Sequence, residues 1–345
     1  MRKLTVTSPA LALAVLWAGC ASAPPAAQPA AQRARRICHD AARALRFEAV
    51  GVPGREAPLD LALTPTHVWV LLAPRRLLRI ERAAGPVTAQ SWVGDPGEEW
   101  TALAADDADG SVWIAASSYR LVHVAADGRL ERHAPERVAG EGSLTRLLVG
   151  PRQIFGTPQL AEQRLWRFDK RAQLVGADFP FPDGQGALSA DAPLDSLRFV
   201  PRLERDRDGS ILLWDPLERR AWRADDEGRW VPTGGELFAT LPASDDSLVG
   251  IDVGGREARW FFPSARGSLF FWKGRPVFLG QTAVGDRGQR ETVLMVGGAG
   301  SYRPVLEDCY GASLLALSTD GRGYAALTPA LVLWGDFDAS TPDLE

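Results

Sequence analysis

LAADDADGSVWIAASSYRLVHVAADGRL, residues 103–130, is the stretch that decides the fold. Two glycine turns, Asp109-Gly110-Ser111 and Asp127-Gly128, bracket the runs VWIAA and RLVHV, in which branched and aromatic side chains dominate. Tight turns flanking short β-rich runs specify antiparallel strands. An amphipathic helix would instead need apolar residues every three or four positions, and the block has no such period.

Moving outward, the same unit recurs. Arg76-Leu-Leu-Arg79-Ile80, Arg120-Leu-Val-His123-Val124, Arg164-Leu-Trp-Arg167-Phe168 and Arg220-Ala-Trp-Arg223-Ala224 share one alternating pattern at spacings of 44, 44 and 56 residues. Ahead of them Trp69, Trp113 and Leu213 each stand seven residues before the arginine that opens the next strand. Further turns, Asp208-Gly209-Ser210, Glu227-Gly228 and Arg266-Gly267-Ser268, separate later β-rich runs. A third family of apolar strands opens each block at 59–63, 100–104, 144–149, 197–200, 248–253 and 314–317. Six starts, each followed by further short strands, predict an all-β fold, a six-bladed β-propeller over residues 37–340. A β-sandwich is the alternative.

The block at 103–130 is similar to repeats of the NHL, regucalcin-like and two-component-regulator propellers, where an Asp-x-Asp-Gly turn leads into a strand bearing a tryptophan. The likeness is strongest over about 60–235 and implies a fold more than an activity. The last block ends on Ala330-Leu-Val-Leu-Trp334 with no outer strand after Asp336, while Leu45-Arg-Phe-Glu-Ala-Val50 precedes the first block without partners. The expectation is that this N-terminal strand completes the final blade and removes two open edges. Trp69, Trp113, Trp166 and Trp222 recur at strand positions and are expected between blades, whereas Trp92, Trp100 and Trp230 are candidates for the surface.

The N-terminus points to export. Arg2 and Lys3 precede a short apolar run at 11–18, too short to span a bilayer, and Ala18-Gly19 stand directly before Cys20. Leu16-Trp17-Ala18-Gly19-Cys20 resembles the bacterial lipobox, which implies removal of residues 1–19 and acylation of Cys20; the family usually carries leucine where Trp17 stands. A plain signal peptide cut after Ala21-Ser22-Ala23 is the alternative. Residues 20–36 then form an acylated, Ala/Pro-rich tether ending in Arg33, Arg35 and Arg36. The expected location is the cell envelope, anchored to the periplasmic or outer face of the outer membrane. In that oxidising setting Cys38 and Cys309 are expected to pair, with two free thiols as the alternative.

Net charge is −4, and −6 once Arg2 and Lys3 leave with a signal that holds no acid, so nucleic acid is not an expected partner. Propellers of the lactonase type hold a divalent metal at the pore mouth with carboxylate and amide oxygens from different blades. The matching strand starts here are Glu99, Ser143, Ser196, Ser247 and Ser313, with Asp195 and Asp246 one residue earlier. Glu99, Asp195 and Asp246 are therefore the candidate pore-mouth ligands in a ring that is mostly hydroxyl. Residues 204–215 partly imitate a calcium loop, but Glu204 and Asp215 at its ends and its strand-like flanks favour a blade hairpin. No cofactor is expected beyond that one opening for Ca²⁺. His39, His67, His123 and His133 are not paired by spacing, and His123 takes the place of Arg79 in the repeat. No histidine follows His133, unlike the streptogramin-lyase type, which uses one late in the chain. A monomeric binding or scaffold module for an envelope protein is the expected function. A metal-dependent lactonase-like hydrolase and a sugar- or cell-wall-binding sensor are the alternatives.

Overall fold

The computed structural model describes residues 35–36, 43–46, 56–83, 86–135, 142–158, 164–180, 202–205, 210–215, 220–225, 229–233, 250–253, 256–259, 269–272, 275–282, 291–298, 301–308, 314–317, 323–328 and 331–336. All fall in the second of two compact units, residues 34–345. Cys20, Cys38, Cys309, Asp195 and Asp246 lie outside the described residues.

Two short strands come first, β1 (Arg35–Arg36) and β2 (Arg43–Arg46). The first block folds as β3 (Ala57–Leu63), β4 (His67–Ala73), β5 (Arg76–Glu81) and β6 (Ala89–Val93). The second gives β7 (Trp100–Ala105), β8 (Val112–Ala116), β9 (Arg120–Val124) and β10 (Leu130–His133). The third gives β11 (Leu144–Val149), β12 (Gln153–Pro158), β13 (Arg164–Asp169) and β14 (Leu174–Pro180). The fourth gives β15 (Arg202–Arg205), β16 (Ile211–Asp215), β17 (Arg220–Ala224) and β18 (Trp230–Thr233). Each is an antiparallel four-stranded meander in chain order. The fourth opens on Arg202–Arg205; the predicted start at 197–200 lies outside the described residues.

The fifth block departs from the unit. It holds β19 (Gly250–Val253), β20 (Arg256–Arg259), β21 (Leu269–Trp272), β22 (Arg275–Thr282), β23 (Glu291–Gly298) and β24 (Ser301–Asp308). Three of these are eight residues long and form a meander, with β20 and β21 both on β22, and β1 adds parallel to β24 at the edge. Long hairpin arms replace the short strands that the repeat predicts. The last sheet is β25 (Leu314–Leu317), β26 (Gly323–Leu327) and β27 (Leu331–Asp336), completed by β2. Leu45 stands opposite Val332 in that antiparallel pair, so an N-terminal strand does finish the final sheet; its paired residues are 43–46, and 47–50 of the predicted strand lie outside the described residues.

Burial explains why these sheets are not a two-layer sandwich. In β4 the five central residues are all buried and in β8 all five are. A sheet with one solvated face would bury only alternate residues, so both faces here are covered. Period-two geometry then divides β4. Val68, Val70 and Leu72 pack with Ala325, Leu327, Val332 and Trp334 of the last sheet, while Trp69 and Leu71 pack with Trp100, Leu103, Val112 and Ile114 of the second. The next seams repeat the device: Trp113, Ala115 and Leu121 meet Leu144, Ile154 and Phe168, and Phe155 and Leu165 meet Leu213 and Trp222. Five sheets stacked face to face across these four seams, with the last against the first, make the fold an all-β propeller.

Trp69, Trp113 and Trp222 are buried at these seams and Trp166 packs against one, as the repeat predicts. Trp100 does not reach the surface. At 1% exposure it opens an inner strand and is enclosed by the first two sheets.

Candidate binding face

The link Gly94-Asp95-Pro96-Gly97-Glu98-Glu99, between β6 and β7, is built by its own sequence. Proline at the second position and glycine with φ +84° at the third give a type II turn, closed by a 3.0 Å bond from the Glu98 N–H to the Asp95 carbonyl. Glu98 folds beneath it, buried, and accepts the Asp95 N–H at 3.1 Å, while Arg132 of β10 lies 3.7 Å from it and 3.2 Å from the Asp95 carboxylate. The Gly94 N–H donates to the Arg75 carbonyl at 2.8 Å, the Trp100 N–H to the Pro74 carbonyl at 2.7 Å, and Arg75 donates to the Asp95 carbonyl at 3.0 Å.

The band continues across the second and third sheets. Glu99 and Ser117 exchange two bonds, the Ser117 N–H to the Glu99 carbonyl at 2.8 Å and the Glu99 N–H to the Ser117 hydroxyl at 3.2 Å. Ser118 and Tyr119 follow with φ of 60° and 55°, a left-handed conformation that costs a residue bearing a Cβ roughly 1–2 kcal/mol. Tyr119 is held there by burial, by its N–H bond to the Gly142 carbonyl at 3.2 Å and by its ring 4.7 Å from Trp166. The band thus presents Asp95, Glu99, Ser118 and Arg120, all exposed, on backbone tied from one sheet to the next.

Glu99, chosen from the sequence as a pore-mouth ligand, stands in this band. Glu99 is exposed and Ser143, its counterpart in the repeat, is buried, so the two positions are not equivalent. Among the described residues no group of three or more His, Cys, Asp or Glu is arranged to hold a metal ion. Glu204, the first position of the calcium-like stretch, pairs with Arg146 at 2.8 Å, and residues 206–209 lie outside the described residues. Its parallel at 106–110 is a hairpin: Asp106 receives the Ala108 N–H and pairs with Lys170 of the third sheet, and Asp109 receives the Ser111 N–H.

Sequence reasoning missed the polar groups one step further into the inner strands. β3, β7 and β11 each shift register at matching places, between Pro58 and Asp60, Trp100 and Ala102, and Leu144 and Arg146. These bulges supply one link per seam. The buried Asp60 carboxylate accepts the Leu61 and Leu103 N–H groups at 2.9 and 2.8 Å. The Thr101 hydroxyl donates to the Leu144 carbonyl at 2.7 Å, and Arg146 pairs with Glu204. One signal was visible: Asp60 is the single charge in the apolar run LDLAL.

The outer strands carry a second set of ties. Arg79 lies over Trp69 and Trp92 at 5.5 and 5.3 Å and donates to Gln90 and to the Ala126 carbonyl, and Trp92 donates to the Gly128 carbonyl at 2.9 Å. In the second sheet His123 replaces that arginine and stacks on Trp113 at 4.4 Å, with His133 at 5.6 Å from the same ring. Burial lowers the pKa of His123 below its ordinary value; Asp109 and Glu131 oppose that shift and His133 adds to it. His67 is also lowered, first by burial and then by the Arg79 charge. Both imidazoles act as packing groups in this setting.

No family model and no curated protein matches the chain. Among solved structures it is similar to a chain of the mitotic checkpoint complex, 11% identical over 96% of this chain and 99% of that one, with a TM-score of 0.53. It is also similar to a streptogramin B lyase, 11% identical over 86% and 98% with a TM-score of 0.48, and to YCF48 bound to a D1 peptide, 12% identical over 86% and 97% with a TM-score of 0.47. The first likeness agrees with the propeller architecture, and identities this low bear on the fold alone.

Proposed function

We propose that this chain is an exported lipoprotein, cut before Cys20 and acylated there, whose six-bladed propeller is a binding or scaffold module for a protein of the cell envelope. The loop band carrying Asp95, Glu99, Ser118 and Arg120 is its docking face. One observation carries this reading: the Ser118–Tyr119 turn keeps a strained backbone with Tyr119 buried and Ser118 exposed at its tip, where glycine would remove the strain. Strain of this kind persists where surroundings over-determine it, and it clusters at ligand clamps. Fixed charges on tied backbone also lose little entropy on docking.

The reading places the monomer at the outer membrane, held by its lipid and the tether that precedes β1, and needs no cofactor or nucleic acid. Several acyl chains, at about 0.8 kcal/mol per buried methylene, hold a protein far more firmly than one chain does. The hydrolase reading requires Asp195 and Asp246 to join Glu99, and the calcium reading requires Glu204 to leave Arg146.

The test is a photo-crosslinking amino acid at Glu99 or Ser118 in the anchored protein, with Asp127 as a control on an outer hairpin. Crosslinks to one envelope protein from the first two positions and none from the control are expected. Equal capture from all three would remove the docking face.

A further inference from the structure

The outer edges of the five four-stranded sheets are β2, β6, β10, β14 and β18. An edge strand offers unpaired N–H and C=O groups to any extended chain, and proteins blunt it with charges, proline or bulges. Four of these edges are blunted in that way. β2 carries Arg43 and Arg46, β10 carries Glu131 and Arg132, β18 holds Pro232, and β14 carries Asp178 and shifts register against β13. β6 has none of these devices: Ala89-Gln90-Ser91-Trp92-Val93 is uncharged, free of proline and paired with β5 in unbroken register.

The bonds at its two ends give the direction of its free groups. The Thr88 carbonyl accepts the Glu81 N–H at 3.3 Å, and the Gly94 N–H donates to the Arg75 carbonyl at 2.8 Å. In an antiparallel ladder alternate residues turn their polar groups to the same side. Gln90 and Trp92 therefore bond to β5, while Ala89, Ser91 and Val93 turn their N–H and C=O groups outward. The side chains of those three residues are exposed, Val93 at 58%, on the face opposite the one where Trp92 meets the first seam. On the Trp92 face Gln90 receives a bond from Arg79, whose guanidinium lies 5.3 Å from the Trp92 ring. Arg79 donates to the neutral oxygens of Gln90 and Ala126, and no carboxylate among the described residues pairs with it.

We propose that β6 is a strand-addition site, which takes an extended segment of a partner protein as a fifth strand of the first sheet. Main-chain bonds to Ala89, Ser91 and Val93 supply affinity, and side chains supply selectivity. The edge defines the segment: small or apolar residues against the stripe of Ala89, Ser91 and Val93, and a carboxylate opposite Gln90, within reach of the Arg79 charge. A second copy of this edge fits less well, because it brings a second Arg79 and no carboxylate. The site is separate from the loop band and the anchor, so it goes beyond the function proposed above.

The test is fluorescence anisotropy of a labelled heptapeptide added to the purified full chain. Its valines alternate with threonine, a central glutamate and threonine, which places the glutamate opposite Gln90. Saturable binding with a Kd below about 1 mM is expected. Methylating the amide nitrogens of the two inner valines, which face β6, should weaken binding about tenfold or more, while methylating those of the threonines, which face away, should leave it unchanged. Glutamine in place of the glutamate should weaken it about threefold. Ser91→Pro removes an outward N–H, keeps the bonds to β5 and should abolish binding. Absence of saturable binding, or equal loss from both methylated peptides, would overturn the proposal. So would a dimer of the free chain in sedimentation velocity that Ser91→Pro dissolves, since that assigns the edge to a second copy.

Discussion

Replacing Asp60 with alanine removes the acceptor that joins the innermost strands of the first two sheets. Its carboxylate receives the N–H groups of Leu61 and Leu103 at 2.9 and 2.8 Å, and Leu103 is only 5% exposed. A buried donor left without a partner costs about 1–3 kcal/mol. With two donors affected, the first beside the carboxylate in sequence and the second across the seam, the expected loss is about 3 kcal/mol, roughly a hundredfold in the folding equilibrium. Asp60→Asn keeps an oxygen of similar position and should lose only about 1 kcal/mol. Urea titration followed by tryptophan fluorescence suits this site, since Trp69 and Trp100 line the same seam. Hydrogen exchange at the Leu103 amide supplies a local reading, and in the alanine variant it should rise with the drop in stability. An alanine variant within about 0.5 kcal/mol of the parent, with unchanged exchange at Leu103, would refute the role given to this carboxylate.

Ser118→Gly relieves a left-handed residue and should raise stability by about 1 kcal/mol; a drop in the urea midpoint would show that the turn is not strained. In NMR titrations the His123 ring should protonate below pH 6.5, because its lowered value leaves it neutral in the fold. The unfolded chain takes up that proton first, so the contribution of this site to stability is complete above pH 6.5 and is lost as pH falls through the lower folded value. Asp109→Asn, which removes a charge favouring the imidazolium, should lower the folded value further. Cells grown with labelled fatty acid should label the wild type and leave Cys20→Ser unlabelled, and an unlabelled wild type would end the lipoprotein reading.

The four-stranded unit was legible because its signals are local. Glycine turns at 109–111 and 127–128 and the seven-residue offset of Trp69 and Trp113 from the next arginine fix strand and turn without reference to distant residues. Closure through an N-terminal strand was legible by elimination, since an unpartnered strand at one end matched a missing one at the other. The fifth sheet was not, because the long arms at 275–282, 291–298 and 301–308 lack the repeat's punctuation. Trp100 was misjudged because a residue at the start of an inner strand looks the same in sequence whether a neighbouring sheet covers it or not. The polar links were hidden for a related reason. Thr101 and Arg146 acquire their places from bulges, and a one-residue bulge leaves little trace in a repeat of short strands.

Everything here depends on the ring being closed by the strand at 43–46. Hydrogen exchange read by mass spectrometry on the full chain tests this most directly. Peptides covering 43–46 and 331–336 should be protected together and lose protection at the same denaturant concentration. A 43–46 peptide that exchanges at the rate of free chain while 331–336 stays protected would contradict the account.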